Sequence, residues 1–314
     1  MLKTALRSVL SQTCRDYECF VLDDGSSDET PAVFDEFRKE KNLSLIRFED
    51  NRRQHVRRND AIGRATGRFI TFLDSDDIWL PRRLEVFKRA IEERPETGFW
   101  FSNAYLLRGR KIIGTVFEPS RKLLEGALPG WYAVGDEYIP YLTTNLAVRR
   151  ELFNQVGFFR EDMKILEDTE LYARMLVSGA LVGAIRDPLS IRRLHSAQIT
   201  MDHRTAYKEC LMALEAGKIT PQEKEIERLK LARKTAGYLL KSLRPREARQ
   251  FILTELGEPG KRLWVYPATF IPKPLLSWAK KIRELYLLTR GFFSGADSQL
   301  KEVYRFLEQV SKKD

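Results

Sequence analysis

The chain has 314 residues, 43% of them hydrophobic, which is enough to bury a large core and to divide in two. No run approaches 18 apolar residues, which argues against a membrane-spanning helix. Three cysteines (Cys14, Cys19, Cys210) without CxxC spacing argue against a disulfide framework and for a reducing cytoplasm.

The net charge of +10 is unevenly placed: residues 201–314 hold 23 Lys+Arg against 14 Asp+Glu, so residues 1–200 are nearly neutral. No nucleic-acid motif accompanies the basic tail, so nucleic acid is not an expected partner. A charged helical surface or contact with an anionic membrane, at the inner face of the cell membrane, suits it better.

In chain order, Leu2, Leu6, Val9 and Leu10 recur at helical spacing and predict an amphipathic helix over Leu2–Gln12. Glu18–Leu22 reads as a strand. Asp28-Glu29-Thr30-Pro31 then opens a helix whose apolar side is Val33, Phe34 and Phe37. Leu43–Phe48 is the next strand, and the run Phe69–Leu73 another. This alternation predicts an α/β chain with a doubly wound, mostly parallel sheet.

Further along, Arg82–Arg94 is expected as a helix, and Phe99–Phe101 and Lys111–Phe117 as strands around a turn at Gly109. Residues 118–142, rich in Pro and Gly, predict an irregular and mobile loop. From Tyr207 onward the pattern is mostly helical, with amphipathic stretches at Gln222–Leu240 and Leu275–Leu288. The last part mixes Trp264, Tyr266, Phe270, Trp278, Phe292 and Phe293 with Lys273, Lys280, Lys281 and Arg283. Such interleaving suits a headgroup interface or ordinary packing on the rest of the chain.

Two strands end in crowded carboxylates. Asp23-Asp24-Gly25 follows Phe20-Val21-Leu22, and Asp74-Ser75-Asp76-Asp77 follows Phe69–Leu73. Acids gathered at a strand's carboxyl end repel one another unless a cation binds there. Mg²⁺ or Mn²⁺, with its preference for oxygen, answers that repulsion and also grips phosphate. Parallel strands would bring both acid groups to one crevice, where open α/β sheets bind ligands. A solvated acidic turn is the plainer alternative, with Asp77 capping the helix that begins near Pro81.

The strings "VLDDGSSDET" and "RRNDAIGRATGRFITFLDSDDIWLP" resemble the family 2 glycosyltransferases of the GT-A fold, inverting enzymes that use nucleotide-sugar donors. The likeness continues through Thr143-Thr144-Asn145, "VRRELFNQVGFF", "LEDTELYARML" and "IRRLH", over roughly residues 1–200. It implies a catalytic domain at 1–204 and a basic, helical region at 205–314.

Residue by residue, the resemblance makes Asp76 the metal carboxylate. Asp74 would assist through metal-bound water or the donor ribose, with His195 at the metal or diphosphate. Asp23 and Asp24 would read a uracil base, with Arg58 and Asn59 lining the nucleotide pocket. Asp168 would be the general base, with Glu167 as its understudy; helix capping is the alternative for Asp168. Thr144, Asn145 and the aromatic face of Trp131 would meet a glycan or lipid-linked acceptor in cell-surface polysaccharide assembly.

Family members open with a hydrophobic strand, whereas this chain begins inside the helix that follows it. We therefore expect Met1 to be a misplaced start, or the chain to be a decayed, non-catalytic nucleotide-binding or scaffold paralogue. Arg57 also departs from the family, which has a small residue there. A nucleotidyltransferase is a further alternative, since it too places acids and a metal at strand ends.

Overall fold

The computed structural model describes residues 1–135, 137–195, 202–260, 265–279, 281 and 298–311. The chain is α/β, as predicted. Strands β1 (Cys19–Asp23) and β2 (Leu43–Arg47) form a parallel pair in register Cys19↔Leu43 to Asp23↔Arg47, joined by helix α2 (Thr30–Phe37). Pro31 sits in the first turn of α2, where its missing N–H costs nothing, and Asp28 accepts the Thr30 N–H at 2.9 Å.

The larger sheet differs from the mostly parallel one expected. It contains β3 (Phe69–Ile70), β4 (Ile78–Trp79), β5 (Phe99–Arg108), β6 (Lys111–Thr115), β7 (Leu146–Arg149) and β8 (Val182–Arg193). The order is β3-β7-β5-β8-β4, with β6 on the end of β5. Only the β5–β8 pairing is parallel; β3–β7, β4–β8, β5–β6 and β5–β7 are antiparallel. The reason is visible in the connections. Strand–helix alternation carries the chain from β1 to β3, but no helix separates β3 from β4, and β5 turns directly into β6 at Gly109, whose φ is +59°.

Phe99, Trp100 and Phe101 of β5 are fully buried at the sheet's centre. Helix α6 (Glu167–Val177) covers one face there, with Tyr172 edge-on to Phe99 at 5.1 Å between ring centroids. Helix α1 (Leu2–Leu10) packs Leu6 and Val9 with Trp79. Ser8 of α1 and Gln12 just past its end then fix the chain around β4: Trp79 N–H donates to Ser8 Oγ (3.1 Å). The Gln12 amide reaches Leu80 O (2.9 Å) and accepts from Leu84 N (3.0 Å). The segment after the acidic turn is thereby held at both ends.

Helix α3 (Gln54–Arg64) precedes β3, α4 (Arg83–Glu93) follows β4, and α5 (Arg150–Val156) follows β7. The helical region expected from 205 begins at His203. Helices α7 (His203–Ala216), α8 (Pro221–Lys241) and α9 (Pro245–Gly260) share a core that includes Tyr207, Ala236, Leu239, Phe251 and Ile252. Thr220 and Glu223 form a reciprocal capping box at the start of α8, with Pro221 in its first turn.

A closing helix, Ser298–Ser311, returns to the large sheet. Its Leu300, Val303, Phe306 and Val310 pack with Ile78, Tyr105, Leu107, Ile112 and Ile191. Ile112 N–H donates to Tyr304 Oη (2.9 Å), and Arg7 reaches Val310 O (3.2 Å). The basic tail is therefore partly built into the α/β layer.

Residues 118–142 are irregular, as expected, yet Leu123, Trp131, Ala133, Val134 and Ile139 are buried core. Of the aromatic and basic residues singled out in the tail, Trp264, Lys280, Arg283, Phe292 and Phe293 lie outside the described residues. Phe270 and Trp278 are exposed, and residues 273–279 are helical. Among the described residues no helix is long and apolar enough to cross a membrane.

Candidate active site

A cleft of about 990 Å³ opens between the acidic turn, the start of α6 and helices α7 and α8. The backbone of the turn closes through Asp77 N–H to Asp74 O (3.0 Å). Asp74, Asp76 and Asp77 each offer a carboxylate oxygen, and these atoms lie within 4.8 Å of one another. This is an all-oxygen donor set of the kind Mg²⁺ and Mn²⁺ take. His195, at the end of β8, places Nε2 2.7 Å from Asp76 Oδ2.

Asp77 does not cap the following helix, which starts at Arg83. Its Oδ1 accepts the Arg193 N–H at 3.0 Å and ties the turn to β8. Burial, and then the charges of Asp74 and Asp76, push its carboxyl up to about 8. Burial is the larger cause, and the neighbouring carboxylates add repulsion to it. A divalent cation at these oxygens would offset that repulsion.

Asp168 and Glu167 open α6 and take different positions. Asp168 lines the cleft, and Thr143 Oγ1 donates to its Oδ2 at 2.9 Å while Thr169 N–H donates to Oδ1 at 2.6 Å. Glu167 lines the same cleft but is only 2% exposed. Its Oε1 is 3.6 Å from Arg58 Nη1 and 3.9 Å from His55 Nδ1, and its Oε2 is buried with no hydrogen-bond partner. Burial raises both carboxyls above the usual range, and in Glu167 the neighbouring Asp168 charge adds to it. Arg58 bridges the two acidic groups, with Nη2 2.6 Å from Asp74 Oδ1. The rings of Phe72 and Phe159 lie beside its guanidinium.

Asp23 and Asp24 end β1 but are not among the residues that line this cleft. Asp23 is buried, accepts Ser26 N–H (2.9 Å) and lies 3.3 Å from Arg47 Nε. A Cβ on Gly25, whose φ is +72°, would fall 3.3 Å from the Asp50 backbone, so this turn favours glycine. Arg57, the residue that breaks the expected pattern, donates Nε to Asp24 at 2.6 Å and Nη2 to Asp50 at 2.6 Å, and it stacks on Phe48. Asp24 is thus clamped by a cation.

Four residues expected to meet ligand do not line this cleft and make contacts within the fold. Asn59 does not line the cleft: its amide donates to Phe159 O (2.9 Å) and accepts Phe159 N–H (3.0 Å), joining α3 to the stretch after α5. Asn145, fully buried, donates to Ser102 O (2.5 Å) and accepts Leu142 N–H (2.7 Å). Thr144 is buried too, and its carbonyl accepts the Trp79 indole N–H at 3.3 Å. Trp131 packs with Val134, Ala213 and Leu214 and lies edge-on to Tyr132 and Tyr138. A Cβ on Gly217 would fall 2.4 Å from Trp131 N, so a glycine is required where α7 ends against this backbone. Buried amides and indoles need partners, and here the backbone supplies them.

Three features were missed in sequence. Thr143, beside the two residues singled out, is the one that reaches the cleft. Arg83 is wholly buried between Trp79 and Phe87, donates to Thr71 Oγ1 (2.8 Å) and Leu146 O (2.9 Å), and is pushed down to about 9 by burial. The third is the α7–α8 wall of the cleft, with His203, Lys234, Tyr238 and Lys241. The only sequence signal for it was the i, i+4, i+7 spacing of the last three, which places them on one helical face.

The sequence profile of glycosyl transferase family 2 matches residues 1–155. The chain is 33% identical over 120 residues to an Escherichia coli UDP-Glc:alpha-D-GlcNAc-diphosphoundecaprenol beta-1,3-glucosyltransferase, covering 38% of this chain and 47% of that one. To the putative teichuronic acid biosynthesis glycosyltransferase TuaG of Bacillus subtilis it is 26% identical over 211 residues, covering 66% of this chain and 79% of the relative. It spans about half the length of several curated relatives that it matches.

Among solved structures, TarS of S. aureus in complex with UDP superposes with a TM-score of 0.57 at 19% identity, over 93% of this chain and 85% of that one. A mannosyltransferase from Pyrobaculum calidifontis in complex with GDP-Man and Mn2+ superposes at 0.53 and 16% identity, over 94% and 84%. At such identities the likeness is one of fold.

Proposed function

We propose, from the premise that the chain belongs through residues 1–155 to glycosyl transferase family 2, that it is an inverting glycosyltransferase. It would move a sugar from a nucleoside-diphosphate donor, a UDP-sugar in our reading, to a hydroxyl of a glycan or lipid-linked acceptor. The observation that carries this reading is one cleft lined both by the acidic turn with His195 and by Asp168. The names of the E. coli and B. subtilis relatives support a place in cell-surface polysaccharide assembly.

Asp76 and Asp74, with His195 adjoining, are the residues that would hold Mn²⁺ or Mg²⁺. When bound, the ion supplies Lewis-acid stabilisation of the charge on the departing diphosphate. Asp168 takes the proton of the acceptor hydroxyl as that oxygen attacks the anomeric carbon and the bond from that carbon to the phosphate oxygen breaks. Attack from the face opposite the leaving group inverts the configuration. Thr143 and the Thr169 N–H aim the Asp168 carboxylate. Arg58 holds Glu167 and Asp74 in fixed relation to it.

The test is the melting temperature of the purified chain with and without Mn²⁺ plus UDP. A metal-dependent rise of about 5 °C is expected at a UDP concentration about 100 times its Kd. No rise at saturating Mn²⁺ and UDP counts against the reading.

An exposed aromatic surface supports seating at an anionic membrane. Phe270 is 57% exposed, Leu275 58% and Trp278 65%, in a region that also carries Lys273 and Lys281. Apolar side chains beside cations suit the headgroup layer. Cosedimentation with phosphatidylglycerol vesicles, weakened by salt and by Phe270→Ala/Trp278→Ala, is expected. Equal behaviour with phosphatidylcholine vesicles would refute an anionic surface as the partner.

A further inference from the structure

The cleft is chemically divided. The acidic turn and the start of α6 contribute its carboxylates, whereas among the described residues the side that α7 and α8 contribute has none. The charged residues there are Lys234 and Lys241, one helical step either side of Tyr238 on the same face of α8. Tyr238 stacks on His203 of α7, with ring centroids 5.1 Å apart at 19°, and Lys241 Nζ lies 5.2 Å from the Tyr238 ring centroid. The result is a two-ring aromatic stack with the Lys241 ammonium over Tyr238 and Lys234 one turn earlier on the same helix face. Flat rings suit the apolar face of a sugar, and ammonium groups suit phosphate.

Size adds to the argument. At about 990 Å³ the cleft lies at the upper end of what one small molecule occupies. The Asp168 side sets its carboxylates beside Arg58 and Arg192, whereas the described lining of the α7–α8 side holds lysines and no carboxylate.

We propose that this wall is an acceptor subsite that takes a sugar bearing a phosphate group. The sugar would rest on the Tyr238–His203 pair and the phosphate would lie between Lys234 and Lys241. This rests on the glycosyltransferase reading only for the word acceptor; the preference for a phosphorylated sugar stands or falls by itself. The alternative source of the same chemistry is the donor's diphosphate, and the experiment separates the two.

The full chain is titrated with octyl glucoside carrying a 6-phosphate and with octyl glucoside itself, and separately with UDP plus Mn²⁺. The phosphorylated probe is expected to bind about tenfold or more tightly than the neutral one. Lys234→Ala/Lys241→Ala should erase that preference and leave UDP–Mn²⁺ binding unchanged, whereas arginine at both positions should keep it. Both lysines are exposed on α8, so the double variant should melt with the wild type. Equal binding of the two probes by the wild type overturns the proposal. So does a double variant that loses UDP–Mn²⁺ affinity, which would assign the lysines to the donor. Absence of UDP–Mn²⁺ binding in the wild type would bear on the enzyme reading alone, because the probe comparison needs no donor.

Discussion

Replacing Asp168 with Asn is expected to lower the turnover of sugar transfer by about 10²–10⁴-fold while Mn²⁺-dependent UDP binding persists. Asn keeps the size of the side chain and an oxygen for the Thr143 hydroxyl, but it cannot take a proton. The pH profile offers a second reading of the same residue. Burial raises the Asp168 carboxyl above the usual range, and Glu167 beside it is raised by burial and by the Asp168 charge. A base works only when ionised, so the rate should fall as pH drops through a value above that of a free carboxylate. Burial and the Asp168 charge already favour a protonated Glu167, so Glu167→Gln, which is neutral too, should leave that acidic limb in place. Full turnover in a folded Asp168→Asn variant would remove Asp168 from the role of base and leave it the cap of α6.

Asp76→Asn should separate activity from stability. The variant is expected to lose the Mn²⁺-dependent rise in melting temperature with UDP, and about 100-fold or more in kcat/KM. Without metal it should melt no lower than the wild type, because one of the charges that raise Asp77 is gone. The sign follows from linkage. A carboxyl raised in the folded state is destabilising once pH exceeds its unfolded value, and increasingly so up to its folded value near 8. The benefit of Asp76→Asn should therefore be absent at low pH, where Asp77 stays protonated in both folded proteins, and emerge only as pH approaches about 8. A variant that still shows the full UDP–Mn²⁺ response would show that Asp76 does not hold the ion.

The parts of this site that were legible in sequence share one property: their position is set locally. Asp74 and Asp76 follow a hydrophobic strand run, and Asp168 starts an amphipathic helix, so strand ends and helix starts place them without knowledge of distant contacts. The antiparallel pairings of β7 and β8 were not legible, because strand direction is decided by partners far away in sequence. That Asn59, Thr144, Asn145 and Trp131 do not line this cleft was not legible for a related reason. An amide or indole that satisfies a buried backbone group has the same letters as one that binds a sugar. Only the surrounding packing tells them apart. The face of α8 that meets the cleft shows the opposite error: its spacing was present, but nothing in the chain said what that face would look upon.

Ile78 stands one residue beyond Asp77, and the closing helix rests directly on it. Arg7, from the helix that braces the other side of Trp79, reaches the last turn of that same helix. The basic tail is therefore not a detachable cassette. Exchanging it between relatives, or trimming it to improve expression, would unseat a buried isoleucine next to the acidic turn. Chimeras that alter specificity should be spliced within the α7–α9 layer, with the final fourteen-residue helix (Ser298–Ser311) kept native to this sheet.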